Sequence, residues 1–288
     1  MNQNIVTGID IGGSHITVAL VDLNKHEIVR GSSIRRAVRS KECAEIILGE
    51  WVDAIHACKD FYSDASSKIG IAMPGPFDYE KGICLIKDLD KYDSLFDLNI
   101  KEILASKLKI NRDNILMMND ASCFLKGELF ARSAHLESQR VIGITLGTGL
   151  GSAVYKDGMM YSGDLYKSPF RDSTAEEYLC SRWFVDQYKK ITGKSRPNVK
   201  SICEVANGSP EVLFLFKEFG RNLGDVLLGY IKKHRADTVI IGGNISNAWD
   251  LFILETFNVL HTSIPEISLI RAQLGEEAAL LGAGSLYS

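Results

Sequence analysis

Two carboxylates and two glycine-rich turns are the residues of this chain with the most chemical potential. The first carboxylate, Asp10, lies in residues 8–22 (GIDIGGSHITVALVD). β-Branched runs on either side of Gly12-Gly13 read as strand, tight turn, strand, with Asp10 where the first strand meets the turn. Glycine lacks a Cβ, so the N–H groups of such a turn can approach an anion closely. A carboxylate beside it suits a hydrated Mg²⁺, which keeps several waters and takes few carboxylates. Taken alone, the stretch reads equally as an ordinary hairpin. Residues 141–151 (VIGITLGTGLG) echo it, with strand, polar residue and glycine turn in the same order and a second strand at 151–155. Two halves that each open with this hairpin indicate an internal duplication. The second carboxylate, Asp120, follows Asn119 at the end of the apolar run 114–118.

These residues need a scaffold of strands and helices. The reading places a strand at 27–36, a helix at 41–61, and a buried strand at 68–73 that runs into the rigid turn Pro74-Gly75-Pro76. An acidic loop spans 87–97, a helix 100–108, a strand 114–118 and a helix 122–134. Beyond the echo, 160–174 is polar and irregular, and one helix covers 175–192 with Tyr178, Trp183, Phe184 and Tyr188 as a core face or a dimer surface, core being preferred. Further helices follow at 201–207 and 210–234. A strand at 238–241 ends at Gly242-Gly243-Asn244. A helix (247–261), a strand (267–272) and a last helix (276–287) close the chain. Strands alternating with helices in this way make an α/β protein.

The 288 residues suffice for one large or two medium domains, and a net charge of −3 gives no electrostatic case for nucleic acid. The longest apolar runs are strand-sized, so no membrane span is expected. The N-terminal residues lack the features of a signal peptide. Six cysteines are scattered without C-x-C or C-x-x-C pairs, which argues against a disulfide scaffold or a compact zinc site and makes a cytoplasmic setting the default.

Four motifs then coincide in one order: DIGG at Asp10, PGP at Pro74, Asn119-Asp120, and T-x-G-T-G-x-G from Thr145 to Gly151, with GGN at 242–244 later. In this the chain resembles the ROK family of sugar kinases, of the actin–hexokinase–Hsp70 superfamily, over about residues 5–286. The resemblance implies two duplicated ribonuclease-H-like (actin-like ATPase) lobes with a central cleft. The N-terminal lobe would be 1–118, with the last helix (275–288) packed back onto it. The C-terminal lobe, 119–274, would carry the nucleotide. It further implies an ATP-dependent kinase acting on the primary hydroxyl of a hexose or N-acetylhexosamine. Asp120 would be the general base and Asp10 would hold Mg²⁺ through water. Gly12, Gly13, Ser14, Thr145, Gly147, Thr148 and Gly149 would clasp the phosphates, and Gly242, Gly243 and Asn244 would lie along the adenosine. Sugar contacts would come from Asn119, Gly75, Asp164, Lys167 and Glu177, with Asp88 in a loosely matching place. Many members are homodimers, which leaves a homodimer open.

Three departures from the family pattern matter. The C-x-C-G-x-x-G-C cluster that binds zinc in many members is missing, so no structural zinc is expected; His135, His234 and His261 read as surface or capping residues. Gly163-Asp164-Leu165-Tyr166-Lys167 stands where G-E-x-G-H is usual, and lysine donates hydrogen bonds but cannot accept them; the sugar is therefore left open. Ser14-His15 replaces Thr-Lys beside the first turn, which predicts weaker nucleotide affinity. The family's transcriptional repressors carry a DNA-binding segment before the kinase-like part, and a first strand starting near residue 4 leaves no room for one. The remaining alternative to an active kinase is a catalytically weak sugar-binding regulator of the same fold.

Overall fold

The computed structural model describes residues 4–62, 65–132 and 139–288; His135 lies outside them. The chain forms two compact units, Met1–Ser133 with Glu276–Ser288, and Ala134–Gly275.

In the first unit, β1 (Ile5–Ile11) and β2 (His15–Asp22) form the opening hairpin, with Asp10 paired to Thr17. The strand expected at 27–36 is two short ones, β3 (Glu27–Ile28) and β4 (Ile34–Ala37), both antiparallel to β2. Helix α1 (Ala44–Lys59) buries Ile47, Leu48, Trp51, Ala54, Ile55 and Cys58, a stripe with the spacing of one helical face. Then come β5 (Ile69–Met73), the short pair β6 (Phe77–Asp78) and β7 (Ile83–Cys84), α2 (Ile100–Leu108), β8 (Ile115–Asn119) and α3 (Asp120–Arg132). The sheet order is β3-β2-β1-β5-β8, and β1, β5 and β8 are parallel.

The second unit repeats this plan. Its sheet, β11-β10-β9-β14-β15, is built from β9 (Val141–Leu146), β10 (Leu150–Lys156), β11 (Met159–Ser162), β14 (Thr238–Gly242) and β15 (Ser268–Arg271). Strands β9, β10 and β11 are antiparallel neighbours, while β9, β14 and β15 are parallel. The order of antiparallel and parallel neighbours matches the first sheet, so the duplication legible in the hairpins extends to whole sheets. The irregular middle contains a two-stranded hairpin, β12 (Pro169–Phe170) with β13 (Ser173–Thr174). The helix expected at 175–192 breaks into α4 (Ala175–Tyr178) and α5 (Ser181–Thr192). Trp183, Phe184 and Tyr188 of α5 lie in the core with Phe216 and Phe219 of α7 (Pro210–His234), beside α6 (Val199–Ala206) and α8 (Trp249–His261).

The last helix, α9 (Glu277–Gly284), belongs to the first unit and packs on α3. Glycines permit this closeness: a methyl at Gly127 would run into the Ala278 carbonyl, and one at Gly282 into the Cys123 carbonyl. Helix α3 therefore belongs to the first unit, and the chain divides at 133/134 instead of the expected 118/119. Among the described residues no helix is long and apolar enough to cross a membrane.

Candidate active site

In the first unit the chemistry collects where parallel strands end. The register pairs Asp10 with Ala72, Ala72 with Met118, and Met73 with Asn119. Asp10 and the Asn119-Asp120 pair thus sit at the carboxyl ends of β1 and β8, with β5 between them. Neighbouring strands are about 4.8 Å apart, which separates the two positions by roughly 10 Å across the sheet. Carboxyl ends of parallel strands are the customary ligand edge of α/β sheets.

Asn119 and Asp120 divide two tasks. Asn119 Oδ1 accepts the N–H groups of Ala121 (3.1 Å) and Ser122 (3.3 Å), and so caps α3. Asn119 Nδ2 donates to the Tyr79 hydroxyl at 3.3 Å, and that hydroxyl donates to the Met73 carbonyl at 2.9 Å. Asp120 Oδ1 accepts the Ala121 N–H at 2.8 Å, which aims the carboxyl along the first turn of α3. Tyr79, absent from every motif, holds Asn119 and also faces Gly75, where a Cβ would lie 3.3 Å from its hydroxyl. The peptide between Gly75 and Pro76 is cis.

Both carboxylates are pushed up. Burial raises Asp10 most, the charge of Asp120 adds to it, Arg35 opposes and Glu276 adds again; the result is about 7. Asp120 is raised by burial, partly offset by the Ala121 N–H and by Lys91. Arg35 is itself tied to Glu276 at 2.6 Å. Two mutually repelling carboxylates with so little matching charge mark a site suited to a cation. Asp10 makes no side-chain hydrogen bond with the described residues, so its oxygens are available to the waters of a bound Mg²⁺. No group of three His, Cys, Asp or Glu side chains clusters among the described residues, and a hydrated Mg²⁺ needs only one or two carboxylates.

The first turn closes with Gly12 N–H donating to the His15 carbonyl at 2.9 Å. Neither Gly12 nor Gly13 has a positive φ, and a methyl on either would meet nothing nearer than 3.4 Å. Packing within the chain does not explain these glycines, whereas a ligand lying against the backbone would. Ser14 Oγ and His15 Nδ1 are 2.9 Å apart, so these two exposed groups engage one another.

The second unit brings its own loops together. Gly242 at the end of β14 pairs with Thr145. Gly243 then takes φ 81° with its bare face against the Leu146 backbone, a place no side chain could occupy. Gly242, Gly243 and Asn244 therefore adjoin the Thr145–Gly149 turn. Ser181 secures that turn by donating to the Gly147 carbonyl through its N–H (2.7 Å) and Oγ (2.8 Å). A methyl on Gly147 would meet nothing within 4 Å, so this glycine too leaves open space. Thr148 is exposed and Thr145 half-buried.

The sugar residues expected on this unit fare differently. Glu177 is exposed and accepts from Arg182 at 2.6 Å. With Tyr178, Arg182, Trp183 and Lys190 it lines a cavity of about 240 Å³ on the α5 flank. Glu176, overlooked from sequence, meets the second glycine turn: its Oε2 accepts the Leu150 N–H at 2.9 Å and lies against Gly149. Adjacent helical residues point about 100° apart, so the two successive glutamates face different surroundings. Asp164 and Lys167 are both exposed; the Lys167 ammonium lies 5.5 Å over the Tyr166 ring. Asp88 is exposed with φ 58°. His234, expected at the surface, is half-buried against Tyr230 at 4.4 Å, and burial lowers its pKa.

Known proteins resemble this chain over most of its length. The model of the ROK family matches residues 6–165. The chain is 23% identical to an N-acetyl-D-glucosamine kinase of Pectobacterium carotovorum subsp. carotovorum (strain PC1), over 97% of this chain and 98% of that protein. The solved structure of a ROK family glucokinase from Streptomyces griseus, in complex with glucose and AMPPNP, matches with a TM-score of 0.79 at 22% identity over 98% of each chain. A ROK family transcriptional regulator, a homolog of the E. coli MLC protein, matches at 0.80 and 17% identity over 97% of this chain and 76% of that one. The fold common to these structures is the α/β, actin-like ATPase fold.

Proposed function

Because the chain belongs to the ROK family, we propose that it is an ATP-dependent kinase of a hexose or N-acetylhexosamine, acting on the primary hydroxyl. The observation that carries this reading is the pair Asp10 and Asp120 at one edge of the first sheet, both raised in pKa and short of matching positive charge.

Asp120 is the general base. The acceptor oxygen forms the new bond to the γ-phosphorus, the bond from that phosphorus to the bridging oxygen of ADP breaks, and ADP leaves with the electron pair. The hydroxyl proton passes to Asp120 as the transition state forms. A base raised by burial holds a proton more readily than an exposed aspartate, which suits this task. Asn119 and Tyr79 fix the start of α3, and through it the Asp120 carboxyl. Asp10 would hold Mg²⁺ through water; the ion neutralises phosphate charge. Ser14 and the N–H groups of Gly13, Thr148 and Gly149 would contact phosphate oxygens, Gly12 and Gly147 would shape the two turns through their own N–H bonds to the His15 and Gly149 carbonyls, and Gly242, Gly243 and Asn244 would contact the nucleoside. Gly75, Asp164 and Lys167 remain sugar-contact candidates; Glu177, exposed and paired with Arg182, is a weaker one, and Glu176 supports the second glycine turn.

The test is a coupled ADP-release assay across glucose, N-acetylglucosamine, N-acetylmannosamine, fructose and allose. Turnover on one of these, lost in Asp120→Asn, supports the kinase. Saturable sugar binding without ADP release on any of them would instead favour the sugar-binding regulator.

A further inference from the structure

We infer that Lys91 is the cation that binds the transferred phosphoryl group from the first unit, donating hydrogen bonds to its oxygens above the Gly12-Gly13 turn. This rests on the kinase reading and adds to it a residue that no motif contains.

Lys91 is half-buried in the acidic loop 87–97. Its aliphatic stem lies on the bare face of Gly13, where a Cβ would be 3.4 Å from Lys91 Cδ. Its ammonium makes no ion pair within 4 Å among the described residues, yet its charge reaches Asp120. Lys91 thus lies beside the turn, and its charge acts on the base. The loop backbone is pinned on the Tyr92 side. Tyr92, fully buried with φ 60°, donates its N–H to the Ser40 carbonyl at 2.7 Å and its hydroxyl to the Gly12 carbonyl at 2.5 Å. Asp90, with φ 59°, receives Lys41 Nζ at 2.5 Å. A lysine stem otherwise samples many rotamers, and anchoring its backbone reduces the entropy lost when its charge is used.

The site needs this charge. Asp10 and Asp120 contribute two carboxylates, and Arg35 is committed to Glu276. Beside the turn stands His15, whose ring is engaged with Ser14. The transferring group spreads negative charge over three equatorial oxygens, and positioned donors stabilise that charge. Lys91 exchanges no proton in the step; the hydroxyl proton goes to Asp120 and the electron pair leaves with ADP.

The experiment titrates Mg-AMPPNP and Mg-ADP calorimetrically into the full-length wild type, Lys91→Met, Lys91→Gln and Lys91→Arg, with a thermal melt of each to confirm folding. The coupled assay is run in parallel. In Lys91→Met and Lys91→Gln, AMPPNP affinity should fall about tenfold or more, since a desolvated charge contact is worth this much, while ADP affinity stays within twofold; Lys91→Arg should recover most of the loss. An AMPPNP-to-ADP affinity ratio unchanged within twofold in the folded variants overturns the proposal, as does a wild type that binds neither nucleotide. A wild type that transfers phosphate to no sugar would sink the kinase reading instead, and the affinity ratio would still decide the role of Lys91.

Discussion

Tyr92 donates its hydroxyl hydrogen to the Gly12 carbonyl at 2.5 Å, from a fully buried position in which its ring also meets Trp51 edge-on at 5.6 Å. One bond thereby ties the acidic loop to the first glycine turn. Tyr92→Phe keeps the ring and removes the bond, leaving a partly buried carbonyl unpaired. A loss of about 1–2 kcal/mol in unfolding free energy is expected, together with a several-fold rise in the KM for ATP because the turn loosens. Urea melts and steady-state kinetics measure both. Unchanged values in both would mean that the latch is dispensable.

Asp120→Asn should lower kcat by about 10²-fold or more, the usual worth of a positioned base, with sugar affinity retained. Its effect on stability has a definite sign. Asp120 has a folded pKa above its ordinary value of 3.8, so the folded state holds the proton more tightly than the unfolded chain. That contribution is present in full below the unfolded pKa and is lost as pH rises through the folded one. Asparagine imitates the neutral form and can keep the Oδ1 bond to the Ala121 N–H. The melting temperature of the variant, measured without nucleotide or metal, should therefore exceed that of the wild type by more at pH 8 than at pH 5. A gap that narrows over that range contradicts the assignment of burial as the main cause.

Glu176 and Glu177 separate cleanly by mutation. Glu176→Ala removes the acceptor for the Leu150 N–H and should cost about 1–2 kcal/mol, with a raised KM for ATP as the second glycine turn loosens. Glu177→Ala breaks an exposed ion pair with Arg182, with side chains 45% and 59% accessible, and such pairs contribute at most about 1 kcal/mol. Its kinetics should match the wild type. The reverse ranking in the coupled assay would restore Glu177 to the site.

Gly282→Ala inserts a methyl where α9 meets the Cys123 carbonyl of α3. Moving two packed helices apart should cost about 1–3 kcal/mol and reduce kcat as well, since α3 begins at Asp120. Calorimetric melting and kinetics on the same preparation test the coupling between that helix pair and the base. A large stability loss with unchanged kcat would show that the start of α3 is held independently of α9, by Asn119 and Tyr79.

Residues adjacent in the chain made much of this molecule legible. The hairpins at Asp10 and Thr145, the strand ends at Met73 and Asn119, and the duplication follow from β-branched runs broken by glycine or by Asn-Asp. Such signals are local, because strand propensity and turn chemistry act over a few residues. The helix breaking at Leu179–Cys180 was illegible: the apolar spacing of 175–192 continues through the break, and packing against α7 and the bond from Ser181 to Gly147 end the first segment.

Local pattern therefore set the family, the repeated sheets, and the placement of Asp10, Asp120 and the glycine turns. Folding in three dimensions set Glu176 on the Leu150 N–H and left Glu177 exposed, brought Tyr79 to Asn119, seated Lys91 on Gly13, and drew α3 and α9 into one unit. The physical reason is the same in each case. A side chain's direction and its distant neighbours depend on how whole elements pack, and contacts between residues far apart in the chain leave no periodic trace in the order of amino acids.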